Sequence, residues 1–187
     1  GYAHTSGIPY NDGFIKNRYI GRTFIEPTDS LRKQGVALKF NVIAENVRGK
    51  RLVVIDDSIV RGSVSEGGSV WVVYNAGAGY LEFWVSYGPM FFPSFKEWHR
   101  GKECLNELAV QRAFKGSNPY DKSLGEINRA VAKMIGVDQV KYNLQERIAK
   151  VAGDGSFQAL DASYPISEEY WPDWLKKDVE KFRKYKK

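Results

Sequence analysis

Two adjacent carboxylates, Asp56 and Asp57, end an apolar run and are followed by a hydroxyl, an arginine and a glycine–serine pair. The full string is Arg51-Leu-Val-Val-Ile-Asp56-Asp57-Ser58-Ile59-Val60-Arg61-Gly62-Ser63. That order suits a ligand carrying both a phosphate and a sugar diol or a metal. An apolar run of this length predicts a rigid, buried strand that presents its carboxylates at the C-terminal end, where open α/β sheets bind ligands. The turn that follows directs backbone N–H groups outward, and the dipole of the next helix adds partial positive charge, so a phosphate fits there. The carboxylates suit ribose hydroxyls or a hydrated Mg²⁺. A buried strand running into an ordinary Asp–Ser turn would begin with the same residues.

The elements that must position these groups follow from periodicity and breakers. Residues 13–35 read as a long polar loop, and loops of that length in a globular domain are usually functional. Strands are expected near 36–43, at 51–56 and from Leu81 to Ser86, with a helix over 64–76 ending before Gly77 as its C′ residue. Residues 87–101 carry the breakers Gly88-Pro89 and Pro93 and read as irregular. The remainder reads as helical. Ser123-Leu-Gly-Glu126 is a capping box, and Leu124, Ile127, Val131, Met134 and Ile135 share one helical face. A last helix is expected from Pro172, with Trp171, Leu175, Val179 and Phe182 as its apolar stripe.

The string Val53-Val-Ile-Asp56-Asp57-Ser58-Ile-Val-Arg61-Gly62-Ser63 closely resembles the phosphoribosyl pyrophosphate (PRPP) signature of type I phosphoribosyltransferases, and within them the amidophosphoribosyltransferase family. The resemblance extends upstream. Ser6-Gly-Ile-Pro-Tyr10 and Gly13-Phe-Ile-Lys16-Asn17-Arg18-Tyr19-Ile20-Gly21-Arg22-Thr23-Phe24-Ile25 resemble that family's flexible loop, which folds over PRPP and builds an ammonia channel. It implies an α/β fold: the second half of a Rossmann-like phosphoribosyltransferase sheet with flanking helices (residues 1–95), then a mainly helical C-terminal extension (residues 96–187). The family's glutaminase domain, with its N-terminal cysteine nucleophile, and its pyrophosphate-cradling loop would lie outside this chain.

The resemblance also implies roles. Asp56, Asp57, Ser58, Ile59, Val60, Arg61, Gly62 and Ser63 would bind PRPP, with Asp56 and Asp57 also serving Mg²⁺. Lys16, Arg18, Tyr19 and Arg22 would be the loop's catalytic residues. The implied activity is transfer of glutamine-derived ammonia to PRPP, giving 5-phosphoribosylamine in purine synthesis. The partners would be PRPP, a glutaminase domain or subunit outside this chain, and further copies or subunits in a homo- or hetero-oligomer. The alternative is a diverged paralogue that binds PRPP or a nucleotide as a regulator and has lost transfer. A transferase acting on a free base fits the upstream loop less well.

Departures from the family pattern bear on that choice. Val64 stands where a hydroxyl is usual, Gly67-Gly68 replace helix formers, Asp29 replaces a Gln, and Ala37 replaces an Arg. Phe95-Lys-Glu-Trp98 replaces the usual Tyr-Gly-Ile-Asp segment. Some members bind an iron–sulfur cluster through cysteines where this chain has Ser94, Gln158 and Leu160, so no cluster is expected.

Composition agrees with one α/β domain. Apolar residues are 43% and charged residues 27% of 187, which is globular rather than disordered. No apolar run spans a bilayer and no signal-peptide pattern is present, so a cytoplasmic protein with no membrane partner is expected. Cys104 is the single cysteine and forms no internal disulfide. The net charge of +6 lies largely in the last twelve residues without a nucleic-acid motif, and no nucleic-acid partner is expected.

Overall fold

The computed structural model of the chain describes residues 1–16, 40–62, 68–93, 101–144, 147, 150–151 and 173–186. The chain divides into two units: Gly1–Leu52 with Ser63–Leu81, and Val53–Gly62 with Glu82–Lys187. Strands β3 and β4, defined below, each begin in the first unit and continue in the second.

In the first unit, helix α1 (Tyr2–Ser6) ends on Gly7 in the left-handed region, as a C-terminal glycine allows. The expected loop opens with a strand instead: β1 (Phe14–Lys16) pairs antiparallel with β2 (Phe40–Val42). Lys16 faces Phe40 in this ribbon, so the ends of the intervening segment are held side by side. Arg18, Tyr19 and Arg22 lie outside the described residues. Helix α2 (Ala44–Val47) follows β2 and buries Val47. Helix α3 (Ser69–Asn75) buries Val70, Val72 and Val73 and ends before Gly77 (φ 91°), the C′ position expected. Gly68 is its extended N-cap rather than an interior residue, so no helix penalty applies there.

The three-stranded sheet has the order β3 (Arg51–Asp56), β4 (Tyr80–Val85), β5 (Gln139–Tyr142). β5 lies inside the stretch expected to be helical. It runs parallel to β4 with Glu82 opposite Gln139 and Trp84 opposite Lys141. The amides of Ser86 and Tyr87 donate to the carbonyls of Asp56 and Asp57 at 3.1 and 3.0 Å, so the ladder advances in one sense along both strands and β3 and β4 are parallel too. Register then places Val54, Phe83 and Val140 in one row, and Ile55, Trp84 and Lys141 in a row on the opposite face.

The first of these faces is the core. Phe83 and Val140 are fully buried, as are Ile127, Val131 and Ile135 on helix α5 (Leu124–Ile135), which packs on β5. The other face is half-open: Lys141 Nζ lies 3.8 Å from the Trp84 ring centroid, and Trp84 Nε1 donates to Glu82 at 2.7 Å. β3 is therefore not the buried strand expected. It is an outer one of the three described strands, and Ile55 on the half-open face is 46% exposed.

The capping box of α5 is formed: Ser123 Oγ accepts from the amide of Glu126, whose carboxylate accepts from the Ser123 amide at 2.8 Å. A 3₁₀ segment (Lys102–Glu107) and short helix α4 (Ala109–Ala113) precede it. Helix α6 (Asp173–Lys186) docks through buried Leu175 and Val179; Trp171 and the Phe182 side chain lie outside what is described. Asp178 on the same stripe is also buried and pairs with Lys102 at 3.3 Å and Lys181 at 3.4 Å.

Candidate functional site

At the C-terminal end of β3 the backbones of both acidic residues are fixed by the two residues that follow β4, through the hydrogen bonds from Ser86 and Tyr87. Their side chains are exposed and linked in series. Asp56 Oδ1 accepts the amide of Asp57 at 2.9 Å, and Asp57 Oδ1 accepts the hydroxyl of Ser58 at 2.9 Å. The Asp56 residue is exposed overall, yet neighbouring protein desolvates its carboxyl enough to push its pKa above the usual carboxylate value. The charge of Asp57 adds to that rise, and the Asp57 amide opposes it.

The turn after the carboxylates is held from behind. Ile59 is 2% exposed and anchors it. The carbonyl of Val60 accepts the amide of Ala109 at 2.8 Å, and the carbonyl of Arg61 accepts from Arg112 Nη1 at 2.7 Å. Arg61 Nε lies 3.2 Å from Glu107 Oε2. Gly62 has φ 70°, and a Cβ there would lie 2.7 Å from Met134 Cε and 3.2 Å from Ile135 Cγ2. Glycine is required both by its dihedral and by the close approach of α5. The sequence reading gave Gly62 a role toward ligand; what the structure shows is its packing against Met134, Ile135 and Ala109. Among the described residues, the amides of Ser58, Ile59 and Val60 meet no protein acceptor.

Of the residues singled out in the sequence, Asp56 to Gly62 form this continuous feature, Lys16 contributes the end of β1, and Ser63 lies outside the described residues. Sequence reasoning missed Glu107, Ala109 and Arg112. They sit some fifty positions downstream with no motif around them, and only the fold brings them to the turn.

Two neighbouring carboxylates at an exposed strand end are a fitting donor set for Mg²⁺, which keeps several waters and takes one or two protein carboxylates with substrate oxygens. Among the described residues no group of three or more His, Cys, Asp or Glu side chains gathers into a fuller cage. No helix among them is long and apolar enough to cross a membrane.

No family model matches the chain. It is 50% identical over 173 residues to an amidophosphoribosyltransferase of Archaeoglobus fulgidus, covering 89% of this chain and 34% of that one. It is 37% identical over 169 residues to the enzyme of that name from Methanothermobacter thermautotrophicus, covering 88% of this chain and 32% of the relative. Among solved structures it resembles the glutamine PRPP amidotransferase of Bacillus subtilis complexed with ADP and GMP, with a TM-score of 0.57 and 34% identity over 87% of this chain and 32% of that one. The chain thus spans about a third of the length of the relatives it matches.

Proposed function

We propose, for a chain that belongs to the amidophosphoribosyltransferase family and spans about a third of its relatives' length, that it carries the PRPP site of a purine-synthesis transferase. The observation that carries this reading is the join of two exposed carboxylates to a turn whose Val60 and Arg61 carbonyls are tied back and whose first amides are unpaired. Asp56 and Asp57 hold the ribose hydroxyls and a Mg²⁺ ion. When bound, the ion supplies neutralising charge to the pyrophosphate. The amides of Ser58 to Ser63 take the 5′-phosphate, a role that backbone N–H groups fill without a cationic side chain.

Lys16, Arg18, Tyr19 and Arg22, on the segment that leaves and re-enters through the β1–β2 ribbon, close over PRPP. They offset leaving-group charge and exclude water. Ammonia, made by a glutaminase part outside this chain, attacks C1 of the ribose. The C–N bond forms as the C–O bond breaks and pyrophosphate leaves, and the ammonium product gives one proton to solvent to become 5-phosphoribosylamine. The setting is cytoplasmic and oligomeric.

Calorimetric titration with PRPP and Mg²⁺ tests the site. Asp56→Asn with Asp57→Asn is expected to abolish binding while the melting temperature holds or rises, since adjacent like charges serve a ligand rather than packing. Wild-type affinity in the double variant would return the strand end to a purely structural role.

A further inference from the structure

We infer that Glu107 and Arg112 are positioning residues of the phosphate turn, acting on Arg61 from its two ends. The inference rests on the PRPP reading of the site above.

A turn that receives a phosphate must keep its carbonyl oxygens away from the anion and its amides toward it. Here two of the turn's carbonyls are occupied from the helical side. Val60 O is taken by the Ala109 amide and Arg61 O by the Arg112 guanidinium. The first bond is backbone-only and survives most substitutions. The second depends on one side chain. Glu107 holds the other end of the same residue, 3.2 Å from Arg61 Nε.

Glu107 ends the 3₁₀ segment and Arg112 lies on the helix α4 that follows, so one short stretch of chain grips Arg61 at backbone and side chain. Both partners of the ion pair are substantially exposed, at 46% and 36% of side-chain area. Exposed pairs contribute little to global stability. A surface pair next to a carbonyl-capping arginine has more to offer as geometry than as stabilisation. It fixes where the amides of Ser58 to Val60 point. It also places the Glu107 carboxylate on a cation rather than near the bound anion.

The test uses the chain as it stands, with Glu107→Gln, Arg112→Ala and the conservative Arg112→Lys. Two quantities are read: backbone amide order parameters from NMR relaxation at Ser58, Ile59 and Val60 in the free protein, and affinity for PRPP with Mg²⁺ by calorimetry. Expected are lower order parameters at those amides and an affinity loss of about ten-fold for Arg112→Ala, the size of one lost hydrogen bond. Glu107→Gln should lose less, Arg112→Lys should recover part, and the melting temperature should hold in all three. Unchanged order parameters and affinity in Arg112→Ala would overturn the inference. So would an affinity loss matched by a fall in melting temperature that Arg112→Lys does not repair. If the wild-type chain fails to bind PRPP, the reading of the site fails, while the order parameters still decide whether the clamp exists.

Discussion

Asp56 is raised in pKa by desolvation first and by Asp57 second, so its folded form binds a proton more readily than the unfolded chain does. Its contribution to stability is therefore fully present below the ordinary carboxylate pKa and is lost as pH rises through the raised value. Asp56→Asn removes that titration. Thermal melts across pH should show the variant gaining on the wild type as pH climbs through the carboxylate range, with the gap constant by neutrality. A gap that does not vary with pH would mean that Asp56 is not perturbed. Gly62 gives a second test at this scale. Gly62→Ala should cost about 1–3 kcal/mol in the unfolding free energy from denaturant melts, from the left-handed dihedral and the Met134 contact together. Adding Met134→Ala should recover only the contact part, because the dihedral cost has no side-chain remedy. A neutral Gly62→Ala would show that the turn is softer than its packing implies.

The elements legible in the sequence were those with strong local signals. β3 has an apolar run, β4 alternates buried and half-buried residues along its length, and α5 carries a capping box and one apolar face. β1 was hidden because three residues are too few to show a period, and its partner lies beyond a long insertion. β5 was missed because Gln-Val-Lys-Tyr follows directly on a helical pattern, and four residues alternate only twice. Its strand state comes from pairing with β4, a non-local cause. For the site, the side chains proposed to face a ligand were legible as a motif and those that hold the turn were not, since Glu107 and Arg112 belong to a different part of the chain. The capping box is itself testable. Ser123→Ala should cost about 1 kcal/mol in unfolding free energy at neutral pH. Hydrogen bonds from Ser123 hold the Glu126 carboxyl below its usual pKa, so its share of stability is present above the ordinary carboxylate pKa and fades as pH falls through the lowered value. The difference between wild type and variant should shrink in acid, and a constant difference would count against the paired cap.

At the scale of the whole molecule, the single thiol decides what this polypeptide can do unaided. Cys104 is buried, and its Sγ donates to the carbonyl of Gly101 at 2.9 Å, the setting of an inert structural thiol rather than an activated nucleophile. The 187-residue chain should therefore make no phosphoribosylamine from PRPP and glutamine. Adding a polypeptide that carries the remaining parts of its relatives should confer that turnover. Glutamine-dependent turnover by this chain alone would refute the assignment of glutamine chemistry to another part.

The β1–β2 ribbon has a consequence for how the molecule can vary. Because Lys16 and Phe40 are already paired, whatever joins them begins and ends at one fixed base. A change of length away from Lys16, Arg18, Tyr19 and Arg22 therefore leaves the pairing of the ribbon itself in place. A single added residue between Asp57 and Gly62, where the chain is tied at Ile59, Val60, Arg61 and Gly62, would shift every amide out of register.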